Sequence, residues 1–210
     1  MDDTLGLVTI FGSAFLIGFS GALMPGPMFA LVLSGSSRSG FKAGPLTVLG
    51  HGILELALVI ALVLGLSSLL QNETVFKVIG IVGGAVLVYL GIDMIRSLRQ
   101  AKIDLKKDGK DPGKNLILHG MIASLSNPYW IMWWATIGMA LIISASKYRL
   151  WGVVVFFIGH ILSDLIWYSS VSFAVDRGRK FLSQKVYQSI IAVCGVLLIG
   201  FGIYFVYGAV

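Results

Sequence analysis

Charge and cysteine are both scarce in this sequence. Only 12% of its 210 residues are Asp, Glu, Lys or Arg, where soluble domains carry roughly a quarter. Three stretches, Leu5–Ser37, Asn115–Ser146 and Val186–Val210, have no charged side chain at all. The chain is 57% hydrophobic with a mean hydropathy of +0.89, more apolar than a single soluble core requires. Cys194 stands alone, which excludes a disulfide framework and a CxxC redox pair, and with them the membrane thiol–disulfide carriers. The opening also lacks the positive flank of a secretory leader. Asp2 and Asp3 stand where Lys or Arg would be needed, and the apolar run behind them is too long for a leader's hydrophobic region. A retained helix is expected there.

About 20 apolar residues cross a bilayer as a helix, and in lipid only helices or closed barrels satisfy the backbone. The apolar runs here are continuous rather than alternating. The expected fold is therefore an all-α integral membrane protein of six transmembrane helices, near 5–36, 43–70, 75–97, 116–146, 150–175 and 186–208. The first contains Met24-Pro25-Gly26-Pro27 and the fourth Ser126-Asn127-Pro128. Proline removes a backbone donor and disfavours helix at the residue before it, so both helices should be broken or kinked. Backbone groups freed at membrane depth must face protein or a wet cavity.

Basic residues set the orientation. The side reached after helices two and four holds only Lys77, Lys147 and Arg149, leaving 13 of the 16 basic residues on the opposite side. The positive-inside rule makes that opposite side cytoplasmic, with both termini outside the cell (plasma or inner) membrane. The net charge of +6 is thus a topology signal with lipid as the neighbour, and no nucleic-acid partner is expected. Three units follow: a first three-helix repeat over 1–98, a basic cytoplasmic linker over 99–115, and a second, inverted three-helix repeat over 116–210.

The repeat is visible in the residues. Gly50-His51-Gly52-Ile53-Leu54-Glu55 in helix two matches Gly159-His160-Ile161-Leu162-Ser163-Asp164 in helix five, offset by 109 residues. The segment Gly83–Ile92 in helix three matches Cys194–Ile203 in helix six, offset by 111. Three spans is an odd number, so the second unit must enter the membrane upside down. Inverted repeats with paired broken helices form transporters whose sites lie between the repeats.

Glu55 and Asp164 sit near the centres of their spans with no basic residue beside them. A carboxylate there costs a few kcal/mol or more and usually marks an ion pathway or proton relay. His51 and His160 each lie four residues earlier, on the same helical face as their acids. These four residues are the candidate coupling site for a proton or cation. The alternative reading makes the same set, His51, Glu55, His160 and Asp164, ligands in a mixed nitrogen and oxygen site for a divalent cation. The breaks at Pro25, Gly26 and Pro27 and at Asn127 and Pro128 are candidates for the substrate path, because half-helix ends bind charged groups. Trp130, Trp133 and Trp134 read as belt or core residues. Gly80, Gly84, Gly91, Gly195 and Gly202 read as close helix contacts, within the monomer or in a homodimer. Ser163, Asp164 and His160 do not form a hydrolytic set, since neighbours in sequence do not share a helix face; an enzyme is not expected, nor a cofactor.

Pro25-Gly26-Pro27 late in a first span, Gly44 and Gly50 in the second, and Gly120 with Asn127-Pro128 in the fourth resemble the lysine-exporter (LysE/RhtB) family over nearly the whole chain. The resemblance implies secondary, ion-gradient-driven export of amino acids or their derivatives, with the broken helices on the transport path. With Glu55 and Asp164 carrying the coupling charge, protons are the expected coupling ion. The symmetric His-x-x-x-acid pairs depart from the pattern of the amino-acid exporters, and suit a metal-ion exporter of the wider superfamily as well.

Overall fold

The computed structural model describes residues 3–66, 72–98, 113–178 and 183–209, and among these every regular element is helical. Residues 99–112 of the expected linker lie outside the described residues. In chain order the helices are α1 (Asp3–Ala22), α2 (Pro27–Ser39), α3 (Ala43–Ala61), α4 (Glu73–Ser97), α5 (Gly113–Leu125), α6 (Pro128–Trp133), α7 (Met139–Ser146), α8 (Arg149–Gly178) and α9 (Gln184–Ala209). Wider π-type turns extend α3 over Leu62–Leu66 and join α6 to α7 over Trp134–Gly138. Among the described residues, six helical stretches are long and apolar enough to cross a membrane. The protein is a multi-pass membrane protein.

Both breaks follow from local chemistry. α1 stops at Ala22 and the chain resumes as helix at Pro27, whose missing N–H costs nothing in a first turn. Gly26 between them is fully extended, with φ −162° and ψ −169°. In the second break Asn127 caps α6: its Oδ1 accepts the Tyr129 backbone N–H at 3.1 Å, and Pro128 opens the helix. Asn72 caps α4 in the same way, accepting from the Thr74 and Val75 amides at 3.0 and 3.2 Å.

α1 and α2 act as one interrupted span. Together they run parallel to α8, with Gly6 against Tyr148, Gly18 against Ser163 and Gly40 against Asp176. The chain then turns back at Gly40, whose φ of +71° suits glycine, and α3 returns antiparallel to α8, with Gly44 on the Tyr168 carbonyl and Gly52 on Ile161. α5 lies along α3, with Gly120 on the Thr47 carbonyl, and α4 packs against α9.

The α4–α9 pair meets through glycines facing each other's backbones. A Cβ on Gly84 would stand 2.6 Å from the Gly202 carbonyl oxygen, and one on Gly91 2.5 Å from that of Gly195. Such close approach lets dispersion hold helices that gain nothing from burying apolar surface in lipid. Gly91→Val is expected to overpack this seam at about 1–3 kcal/mol, seen as a lowered thermal midpoint in detergent. An unchanged midpoint would mean that the two helices do not pack this way.

Candidate functional site

The packing brings His51 and Glu55 from α3 against His160 and Asp164 from α8. All four are buried, with Glu55 only 1% exposed. His51 Nε2 lies 3.0 Å from Glu55 Oε1 and 3.7 Å from Asp164 Oδ2. His160 Nε2 lies 3.1 Å from Glu55 Oε2 and 3.7 Å from Asp164 Oδ2. The sequence spacing pairs each histidine with the acid on its own helix, and the structure corrects that emphasis. Glu55 is the hub for both rings, while Asp164 stands slightly farther from each.

The surroundings hold these groups in place. Trp130 and Trp134 both donate their indole N–H to Glu55 Oε1, each at 2.9 Å. His160 Nε2 makes its hydrogen bond to the same Oε1, at 3.3 Å, while Oε2 and Asp164 Oδ2 accept none. His51 Nδ1 is 2.7 Å from the Ser124 hydroxyl, whose single hydrogen has the Gly120 carbonyl at 2.8 Å. The hydroxyl oxygen thus accepts from Nδ1–H, which leaves Nε2 facing the carboxylates. His160 stacks on Trp133 with ring centres 4.8 Å apart and meets the edge of Trp134 at 5.2 Å. Gly18 makes room for that ring: a Cβ there would collide with Ser163 and approach His160 Nδ1 at 3.1 Å.

These side chains line a cavity of about 40 Å³, together with Met24, Gly26 and Met28 from the first break and Asn127, Tyr129 and Trp133 from the second. One water needs roughly 10–15 Å³ on this measure. The space therefore holds a few waters or an ion, and an amino acid would need it to widen. Apolar clusters flank it, with Val59, Leu62, Trp134, Met139 and Phe156 in one and Met28, Val32, Val48 and Tyr168 in the other. Two hydrogen bonds tie α6 to α1, from Tyr129 Oη to the Ser20 carbonyl and from Trp133 Nε1 to Ser20 Oγ, both at 3.0 Å.

Of the residues singled out at the breaks, Gly26 and Asn127 reach this cavity. Pro25 instead lines a separate apolar groove with Leu23, Phe29, Trp167 and Cys194. Pro27 and Pro128 begin their half-helices, shaping the site through the backbone. The reading of sequence missed Trp130, Trp134 and Ser124. The two tryptophans carried a signal: they follow the Asn-Pro break by three and seven residues and are four apart, so they share one helix face. Ser124 carried none.

The chain is similar in sequence to several known proteins. A chemotactic transduction protein of Pseudomonas aeruginosa, ChpE, is 31% identical over 92% of this chain and 96% of its own length. YcgF of Bacillus subtilis, provisionally named an amino acid efflux protein, is 27% identical over 95% of this chain and 96% of its own. A leucine efflux protein of an Enterobacter species is 27% identical over 60% of this chain and 58% of its own. No solved structure gives a significant match. The LysE type translocator family matches residues 19–209, a range that takes in both helix breaks and the cluster of His51, Glu55, His160 and Asp164. On that match and this architecture, the chain belongs to the LysE type translocator family.

Proposed function

We propose that the protein is a proton-coupled exporter that carries amino acids or related small solutes out across the cell membrane, with both termini on the outer face. The observation that carries this reading is the convergence of His51, Glu55, His160 and Asp164 in one small cavity, between the two broken helices. Among the described residues, no Lys or Arg lines that cavity. The cluster is electrically neutral when two protons are shared among the two carboxylates and two imidazoles, and doubly negative without them. A buried double charge is costly, so proton release calls for a cationic replacement. The ammonium group of an amino acid is such a group, and the amide-bearing Asn127 and the open backbone at Gly26 can receive its carboxylate. The names of YcgF and the leucine efflux protein support the substrate class.

An inverted repeat supplies the motion in this reading. The contact pattern is the one a two-fold axis in the membrane plane would leave. The first span packs parallel to the fifth, the second parallel to the fourth, and the third antiparallel to the sixth. At the offset of 111 residues the contact of Gly84 with Gly202 becomes that of Gly195 with Gly91. Rocking one repeat on the other would open the cavity to each side in turn.

The test uses purified protein in liposomes loaded with a pH-sensitive dye, challenged with amino acids and separately with Mn, Zn, Ni and Co ions. Proton flux driven by an amino acid in the wild type, and lost in Asp164→Asn, is the expected result. Flux driven only by a metal ion would make the cargo a divalent cation. Amino-acid-driven flux that persists unchanged in Asp164→Asn would remove that residue from coupling.

A further inference from the structure

We propose that His51, Glu55, His160 and Asp164 also form a binding site for one divalent transition-metal cation of the zinc, cobalt and nickel class. Ligand atoms of His51, Glu55 and Asp164 all lie within 4.8 Å of one another. His160 Nε2 adds a fourth donor, 3.1 Å from Glu55 Oε2 and 3.7 Å from Asp164 Oδ2. Metal bonds of about 2.0–2.2 Å set at tetrahedral angles place ligand atoms roughly 3.3–3.6 Å apart. With Glu55 Oε2 and Asp164 Oδ2 as the oxygen ligands, the nitrogen–oxygen separations are 3.1 Å from His160 to Oε2 and 3.7 Å from each histidine to Oδ2, close to that spacing.

The supporting contacts point the same way. Buried polar atoms nearly always have partners, and two carboxylate oxygens here have none: Glu55 Oε2 and Asp164 Oδ2. Their residues are 1% and 4% exposed, and both oxygens face the imidazoles. Glu55 Oε1 is already held by the Trp130 and Trp134 N–H groups, which orient the carboxylate and leave Oε2 for the ion. His51 donates through Nδ1 to Ser124 and turns the Nε2 lone pair inward. Metal-binding histidines are commonly fixed through their second nitrogen in this way. Two imidazole nitrogens with two carboxylate oxygens suit zinc, cobalt or nickel rather than magnesium or calcium, which take oxygen ligands. Two carboxylates also balance a divalent charge, and the cavity of about 40 Å³ admits an ion but not an amino acid beside it. The ion and the exported solute would compete for the cavity, so the metal site is tested by binding alone.

Direct binding to the purified, full-length protein in detergent tests this without any transport. Cobalt(II) is titrated in, and its visible absorption bands report coordination geometry. One saturable equivalent with the intense bands of a tetrahedral site is expected, displaced by zinc and untouched by excess magnesium. Asp164→Asn and His160→Gln should weaken cobalt binding by about 100-fold or more, and Ser124→Ala, which loses only the support of His51, by about 10- to 100-fold. Melting curves of each variant separate loss of the site from loss of the fold. A folded wild type with no saturable cobalt signal overturns the proposal whatever the variants do. So does equal affinity in Ser124→Ala and in both ligand variants. Amino-acid-driven proton flux in a protein that binds no cobalt would leave the export reading standing and remove only the metal site.

Discussion

Glu55→Gln is expected to fold normally and to move no protons with its cargo. The physical argument lies in how the carboxylate is held. Its Oε1 accepts two indole N–H groups at 2.9 Å, and a glutamine amide oxygen can accept both. The amide NH2 then faces His160 Nε2, which accepts when neutral. Packing and hydrogen bonds survive, but an amide neither takes up nor releases a proton, so the hub of the cluster is lost to coupling. Dye-loaded liposomes should show flux no greater than protein-free vesicles, with a thermal midpoint close to the wild type. Glu55→Ala makes the contrasting control. It strands the Trp130 and Trp134 N–H groups in a buried site, at about 1–3 kcal/mol for each unsatisfied group, and its midpoint should fall. If Glu55→Gln exports with wild-type proton flux, the carboxylate is a structural acceptor for the tryptophans and nothing more.

The largest loss of stability should come from Gly50→Val. A Cβ at Gly50 would overlap the backbone carbonyl of Ile117 on α5, and backbone buried between helices cannot swing aside as a flexible side chain can. Valine adds two methyl groups to that collision. The cost is expected to reach about 4 kcal/mol or more, in the range where a single substitution is exceptional. The damage would also reach the site. Gly50 precedes His51, and α5 carries Ser124, whose hydroxyl holds the His51 ring at 2.7 Å. Poor yield of folded protein and loss of the sharp melting transition are the expected readouts. Wild-type melting would mean that α3 and α5 lie farther apart than described. Glycine at the equivalent place in the second half, Gly159, backs onto the Phe11 carbonyl, with its hypothetical Cβ at 2.8 Å, and should be less sensitive.

The family resemblance rested on breaks and glycines that have direct structural counterparts. Pro27 and Pro128 start half-helices because proline is welcome only in a first turn. Gly44, Gly50 and Gly120 sit where another helix's backbone carbonyl comes too close for any side chain. Such positions show in a sequence because backbone geometry acts locally and leaves few residue types eligible. Trp130 and Trp134 show the opposite case. Their composition and depth suit a membrane belt, yet their N–H groups serve Glu55, 75 and 79 residues away in the chain.

By itself, then, the sequence determined the class of molecule, the six apolar spans, the places where two of them break, and the two His-x-x-x-acid faces. Each depends on length, hydrophobicity or the 3.6-residue period, which a chain carries in its order alone. Only the tertiary structure decided that the faces converge, that Glu55 rather than Asp164 is the hub, and that Ser124 and two tryptophans orient the site. Those are contacts between residues 73 to 105 positions apart. They depend on the rotation and crossing of whole helices. Close glycine contacts set that register, and a shift of one helical residue would turn each carboxylate by about 100°, out of the cavity.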